Sequence, residues 1–142
     1  MARFDYEPLN LYDNFATASR KWPHVPIYFD QTLAAFPELG LETSYQDALK
    51  SIDLRAKQLA RLGIKAGTKV MVYKSPAFDT YLLALALTKL GAVPVMVSYH
   101  LGAEVIKVFG QRLGQGHALI YDKVTAKTVS QLAIPDSSSY LS

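Results

Sequence analysis

The stretch YLLALALTKLGAVPVMV, residues 81–97, is the most apolar run of the chain, and its reading decides the fold. It could be a membrane segment, a buried helix followed by a strand, or a surface that handles a ligand. A spanning helix needs about 20 consecutive apolar residues, and Lys89, Gly91 and Pro94 interrupt this run. The stretch therefore predicts a helix to Leu90, a stop at Gly91, and a strand over Val93–Val97 as the central strand of a βαβαβ unit. Pro94 counts against a central position, because proline donates no hydrogen bond to a ladder.

The same alternation continues on both sides. KVMVY, residues 69–73, reads as a strand, and Pro76 and Asp79 frame the entry to the helix that follows. Gly102 to Leu113 predicts a second helix with Val105, Ile106, Val108 and Phe109 as its apolar positions, and HALIYD, residues 117–122, a third strand. Strands rich in β-branched residues, alternating with helices through short loops, indicate a parallel sheet covered by helices. Upstream, Ser44-x-x-Asp47 resembles a capping box. It opens a helix whose apolar stripe runs through Tyr45, Ala48, Leu49, Ile52, Ala56 and Leu59, with Lys50, Lys57 and Arg61 on a solvated face. Gly63 ends that helix. Asn10 caps a first helix from Leu11 to about Arg20, Pro23 and Pro26 end it, and a short strand covers Val25–Asp30. LET, residues 41–43, is a candidate second strand. The expected fold is α/β: a parallel βαβαβ sheet with flanking helices, preceded by an N-terminal helix and a short hairpin. Residues 1–122 form this unit, and residues 123–142 read as a weakly structured tail.

Composition narrows the function. The chain has 142 residues, half of them apolar and 19% charged, enough for one domain with a core. A net charge of +3 spread along the sequence gives no concentrated basic face, so no nucleic-acid partner is expected. With no cysteine there is no disulfide, thiol nucleophile or cysteine-ligated metal. The N-terminal residues show no signal peptide. A cytoplasmic location is expected, without a transmembrane segment.

No catalytic motif is present. GQRLGQGH, residues 110–117, is rich in glycine but lacks phosphate-loop spacing and the lysine. It also follows a helix and precedes a strand, the reverse of the order a phosphate cradle requires. The turn after Tyr73 does have the right order, and Lys74 and Ser75 precede a helix N-terminus where an anion could sit. Tyr99 and His100 lie just past a strand's C-terminal end, where ligands bind in open α/β sheets. Lys74, Ser75, Tyr99 and His100 are thus the candidate binding residues by position. The competing reading is that they only pack at the sheet edge. His24, His100 and His117 lie far apart, with no acidic partner at metal-ligand spacing.

Four ordered segments resemble the adenylate-forming acyl-CoA synthetase (AMP-binding) superfamily. TSYQDALKSIDLRAKQLARLGIKAGTKV, residues 43–70, is similar to the family's Thr-Tyr-x-x-Leu helix and the Leu-Gly-Ile/Val-x-x-Gly-Asp-x-Val turn after it. LALALTKLGAVPVMVS, residues 83–98, resembles its Leu-Ala-x-x-Lys-x-Gly-Ala-Val-x-Val-Pro. LGAEVIKVFGQRLGQGHALIYD, residues 101–122, resembles its next helix and strand, and NLYDNFATASRKWPHVPIYFD, residues 10–30, its first helix and strand. Thr68 departs from the family's aspartate, and Ser75 or Pro76 from its common asparagine. QTLAAFPELG, residues 31–40, lengthens the hairpin.

The resemblance implies the N-terminal portion of an enzyme several times longer. The parent would activate a carboxylic acid, a fatty acid among the candidates, with ATP and Mg²⁺ to an acyl-adenylate, and pass the acyl group to a thiol such as coenzyme A. The family's phosphate loop, adenine motif, ribose-binding aspartate and catalytic lysine have no counterparts here, so no catalytic, cofactor-binding or metal residue carries over. The chain would be scaffold, inactive alone, partnered by the remainder of its enzyme and prone to self-association through an exposed apolar patch or sheet edge. The alternative is a free-standing α/β module that binds a ligand or partner without catalysis.

Overall fold

The computed structural model describes residues 10–132 and 138–141, the last four by their backbone alone. Helix α1 (Leu11–Lys21) starts where expected, with the Asn10 side chain accepting the Asp13 N–H at 2.9 Å. Strands β1 (Pro26–Tyr28) and β2 (Glu42–Ser44) pair antiparallel, Ile27 opposite Thr43. The long hairpin between them carries a 3₁₀ turn, Pro37–Leu39. It buries Leu33, Phe36 and Leu39, so the inserted segment adds to the core. Ser44 caps α2 (Tyr45–Arg61) by accepting the Asp47 N–H at 3.1 Å. Its hydroxyl also contacts the Asp47 carboxylate at 3.1 Å, because an aspartate is too short to reach the cap's own N–H as a glutamate does. Ala48, Ile52, Ala56 and Leu59 are buried, and Lys50, Lys57 and Arg61 face solvent.

A second sheet follows: β3 (Lys69–Tyr73), α3 (Phe78–Lys89), β4 (Val93–Val97), α4 (Ala103–Leu113), β5 (Ala118–Tyr121), α5 (Ala126–Ser130) and β6 (Ser138–Leu141). All its pairings are parallel, in the order β4-β3-β5-β6. Alternate residues of β3 point to opposite faces. Val70 and Val72 join a core with α1, α2 and α3 through Phe15, Ile52, Leu82 and Leu85. Met71 and Tyr73 join a second core with Ile106 and Phe109 of α4 and Val129 of α5. Both faces are covered, which explains why the strands read as nearly continuous apolar runs.

One expectation is corrected. The central strand of the βαβαβ unit is β3, and Val93–Val97 lies at the edge. The reason is at Pro94. The Val93 N–H donates to the Thr68 carbonyl at 2.8 Å. In a parallel ladder alternate residues direct their backbone groups to one side, so residues 93, 95 and 97 face β3 while Pro94 and Met96 face outward. The missing N–H of Pro94 therefore falls where no described strand lies. The segment from 123 onward, expected as a weakly structured tail, contains α5 and β6 among its described residues. Strand β6 pairs by its backbone with β5, Leu119 opposite Ser139, and its serines offered no apolar alternation to read. Residues 133–137 and 142 of the expected tail lie outside the described residues. No described helix is long and apolar enough to cross a membrane.

Candidate functional site

Lys74 and Ser75 leave β3, Ser98 to His100 leave β4, and Asp122 leaves β5, all at the C-terminal ends of parallel strands. Lys74 is buried, and its Nζ lies 2.6 Å from the Asp79 carboxylate, with the two side chains 1% and 0% exposed. The second Asp79 oxygen accepts the Ala35 N–H at 3.0 Å, which ties the hairpin to α3. Lys74 is thus the counter-ion of a buried carboxylate, and its charge is neutralised beside the α3 N-terminus.

Ser75 turns the other way. Its N–H donates to Asp122 at 2.9 Å and its hydroxyl bonds the same oxygen. The other Asp122 oxygen accepts the N–H groups of Val124 and Thr125 at 3.0 and 3.1 Å, and the Thr125 hydroxyl donates to the Tyr73 carbonyl at 2.8 Å. Burial alone would raise the Asp122 carboxyl's affinity for a proton. The donors from Ser75 and Thr125 outweigh it and hold the group below the ordinary carboxylate range. Asp122 therefore ties the turn after β3 to the turn after β5.

Tyr99 stacks on His100 with ring centroids 3.9 Å apart, and Tyr99 packs against the α4-side core while His100 is exposed. An open groove of about 720 Å³ lies between α3 and β4. Its walls are Leu11, Phe78, Tyr81, Ala84, Met96 and Val97, with Lys74, Thr80, Ser98 and Tyr99 among the remaining lining residues. The structure thus brings Lys74 and Tyr99 to one groove, while Ser75 faces Asp122 and His100 is not among the lining residues. Sequence reading placed Asp79 only at a helix entry and Asp122 only at a strand end. The signal that could have found Asp122 is Asp-x-x-Thr after a strand, a side-chain-capped turn.

This donor set does not fit a nucleotide phosphate or a metal ion. Lys74 is already paired, and Gly114 and Gly116, at φ +79° and +76°, lead from a helix into a strand. Among the described residues no group of three or more histidine, aspartate or glutamate side chains could hold a metal ion.

No protein-family profile matches the chain. A curated protein does: 3-amino-2-hydroxy-4-methoxybenzoate diazotase of Streptomyces cremeus is 33% identical over 113 residues, covering 80% of this chain and 20% of that protein. The N-terminal domain of FACL13 from Mycobacterium tuberculosis superposes with a TM-score of 0.76 at 19% identity, over 92% of this chain and 34% of its own. Klebsiella oxytoca NpsA N-terminal subdomain, in complex with 3-hydroxybenzoyl-AMSN, gives 0.75 at 20% identity over 99% of this chain and 32% of its own. The M. tuberculosis fatty acyl CoA synthetase gives 0.75 at 19%, over 92% of this chain and 26% of its own. The chain has the fold of the N-terminal subdomain of adenylate-forming enzymes. It spans a fifth of the curated relative and about a third or less of these solved chains.

Within this N-terminal subdomain fold one departure from the resembled pattern has a local reason. Thr68, in place of aspartate, accepts the Lys65 N–H through its hydroxyl at 3.1 Å, so the turn keeps a side-chain acceptor. Lys89, the lysine of the opening stretch, reaches Asp53 at 2.6 Å. Asp53 also accepts the Tyr12 hydroxyl at 2.6 Å, and one cluster joins α1, α2 and α3.

Proposed function

We propose that this chain is the N-terminal scaffold of an ATP-dependent enzyme that activates a carboxylic acid as its acyl-adenylate. A fold shared with acyl-CoA synthetases and adenylation domains supports this reading. The engagement of Lys74 with Asp79 and of Ser75 with Asp122 supports the scaffold role. The nucleotide, Mg²⁺ and acid would be held by residues outside this chain, and transfer to coenzyme A or another thiol would belong to the parent enzyme.

The sequence relative is named for an aminohydroxymethoxybenzoate, and NpsA was solved with anthranilyl and hydroxybenzoyl ligands. Both favour an aromatic acid over a fatty acid for the parent. ATP–pyrophosphate exchange tests both parts. The 142-residue chain alone gives no exchange with any acid, whereas a protein that continues it to the length of its structural neighbours exchanges with benzoates. Exchange by the isolated chain would overturn the scaffold role, and exchange with fatty acids alone would overturn the aromatic preference.

A further inference from the structure

Residues 30–40, the segment that lengthens the hairpin, form an Ω-loop whose neck is closed by the Phe29 N–H on the Leu41 carbonyl at 2.8 Å. Leu33, Ala35, Phe36 and Leu39 are buried in the core shared with α1, α2 and α3. The N–H groups of Phe36, Leu39 and Gly40 bond to carbonyls within the loop, those of Leu33, Phe36 and Pro37. Among the described residues, the loop's hydrogen bonds to the rest of the molecule are both made by Ala35. Its N–H donates to Asp79 of α3 at 3.0 Å, and its carbonyl accepts from Arg55 Nη2 of α2. Both partners are charged, so each bond is of the stronger kind. The Arg55 guanidinium also lies over the Phe36 ring, 5.0 Å from its centroid. Its Nε is buried without a partner among the described residues, a cost carried by the closed loop. The other oxygen of Asp79 holds Lys74 Nζ at 2.6 Å.

We propose that residues 30–40 are a latch on the Lys74–Asp79 pair. They open as one unit while the sheet stays folded, and opening turns Lys74 from a buried counter-ion into an accessible ammonium at the C-terminal end of β3. Proteins open locally in cooperative units, and a segment attached by apolar packing and one polar residue is such a unit. When the loop leaves, Asp79 loses the Ala35 N–H and meets water. An ion pair that is obligatory in the interior is worth little once hydrated, so the Lys74 ammonium is freed toward solvent. Arg55 sets the balance between the two states, because its bond to Ala35 exists in the closed loop alone. The inference is independent of which acid the parent enzyme activates.

The test uses the whole 142-residue chain. Native-state hydrogen exchange in low urea follows the amides of Ala35, Phe36 and Leu39 against those of Met71 and Val72. A pulse of acetic anhydride, read by peptide mass spectrometry against the unfolded chain, gives the protection of Lys74. In the wild type, Lys74 and the loop amides share one protection factor, at least about tenfold below that of Met71 and Val72 and with a shallower dependence on urea. Arg55→Met lowers the protection of the loop amides and of Lys74 together by about tenfold, the loss of one charged hydrogen bond. Arg55→Lys, which keeps a donor, restores part of it. Lys74 protected as strongly as Met71 and Val72 would mean that global unfolding exposes it, and would overturn the latch. Protection of Lys74 far below that of the loop amides would place its exposure elsewhere and overturn it too, as would loop amides loosened by Arg55→Met with Lys74 unchanged. The wild-type comparison decides the matter even where a variant fails to fold.

Discussion

Lys74 follows a strand and precedes a helix, where a lysine can meet an anion, yet its neighbour across the turn is Asp79 at 2.6 Å. Nothing in the local sequence distinguishes the two outcomes, because the hairpin that meets the pair, through the Ala35 N–H on Asp79, lies far away along the chain. Removing one partner of a buried pair strands the other charge. Lys74→Met should therefore cost about 3–5 kcal/mol in urea denaturation; a loss below about 1 kcal/mol would mean that the pair is not buried as described. Asp122 supplies a test by pH. Its folded-state proton affinity is depressed, so its contribution is complete above the unfolded value of about 4 and is lost as pH falls through the lower folded value. Urea midpoints of the wild type should fall between about pH 5 and pH 2 more steeply than those of Asp122→Asn; parallel curves would contradict the depressed value.

At the scale of elements, the helices and strands of the βαβαβ unit were legible because their apolar periods differ and glycines punctuate them. The place of β4 in the sheet was not legible from its residues alone, although Pro94 carried the clue: the sheet order follows from which crossovers pack on which face. Strand β6 was missed because a parallel edge pairs through its backbone and gives no side-chain pattern to serines. Two glycines separate conformational need from helix punctuation. Gly91 has φ +72°, and a Cβ there would lie 3.2 Å from the Ala66 Cβ. Gly110 sits inside α4 at an ordinary φ, and the nearest atom to a methyl added there would be His117 Nε2 at 3.4 Å. Gly91→Ala should cost about 1–2 kcal/mol. Gly110→Ala should gain about 0.5–1 kcal/mol from helix propensity. Thermal or urea unfolding of the two variants checks the contrast, and a destabilising Gly110→Ala would show that the imidazole cannot yield.

For the whole molecule, four ordered segments pointed to the N-terminal portion of an adenylate-forming enzyme, and the superposed fold agrees with them. The candidate site was much less legible. Lys74 and Tyr99 share a groove, but its apolar character comes from Phe78, Tyr81 and Met96, which look like ordinary helix and strand residues until β4 proves to be an edge. The central claim is that this chain is an interchangeable N-terminal scaffold of such an enzyme, and the most direct measurement is a graft. The matched region of the Streptomyces cremeus diazotase is replaced by the corresponding residues of this chain, and the chimera is assayed for the parent's diazotase activity. The account predicts a folded chimera that keeps activity within about tenfold of the parent, a change of about 1.4 kcal/mol in barrier. A soluble, folded chimera with no activity would contradict it.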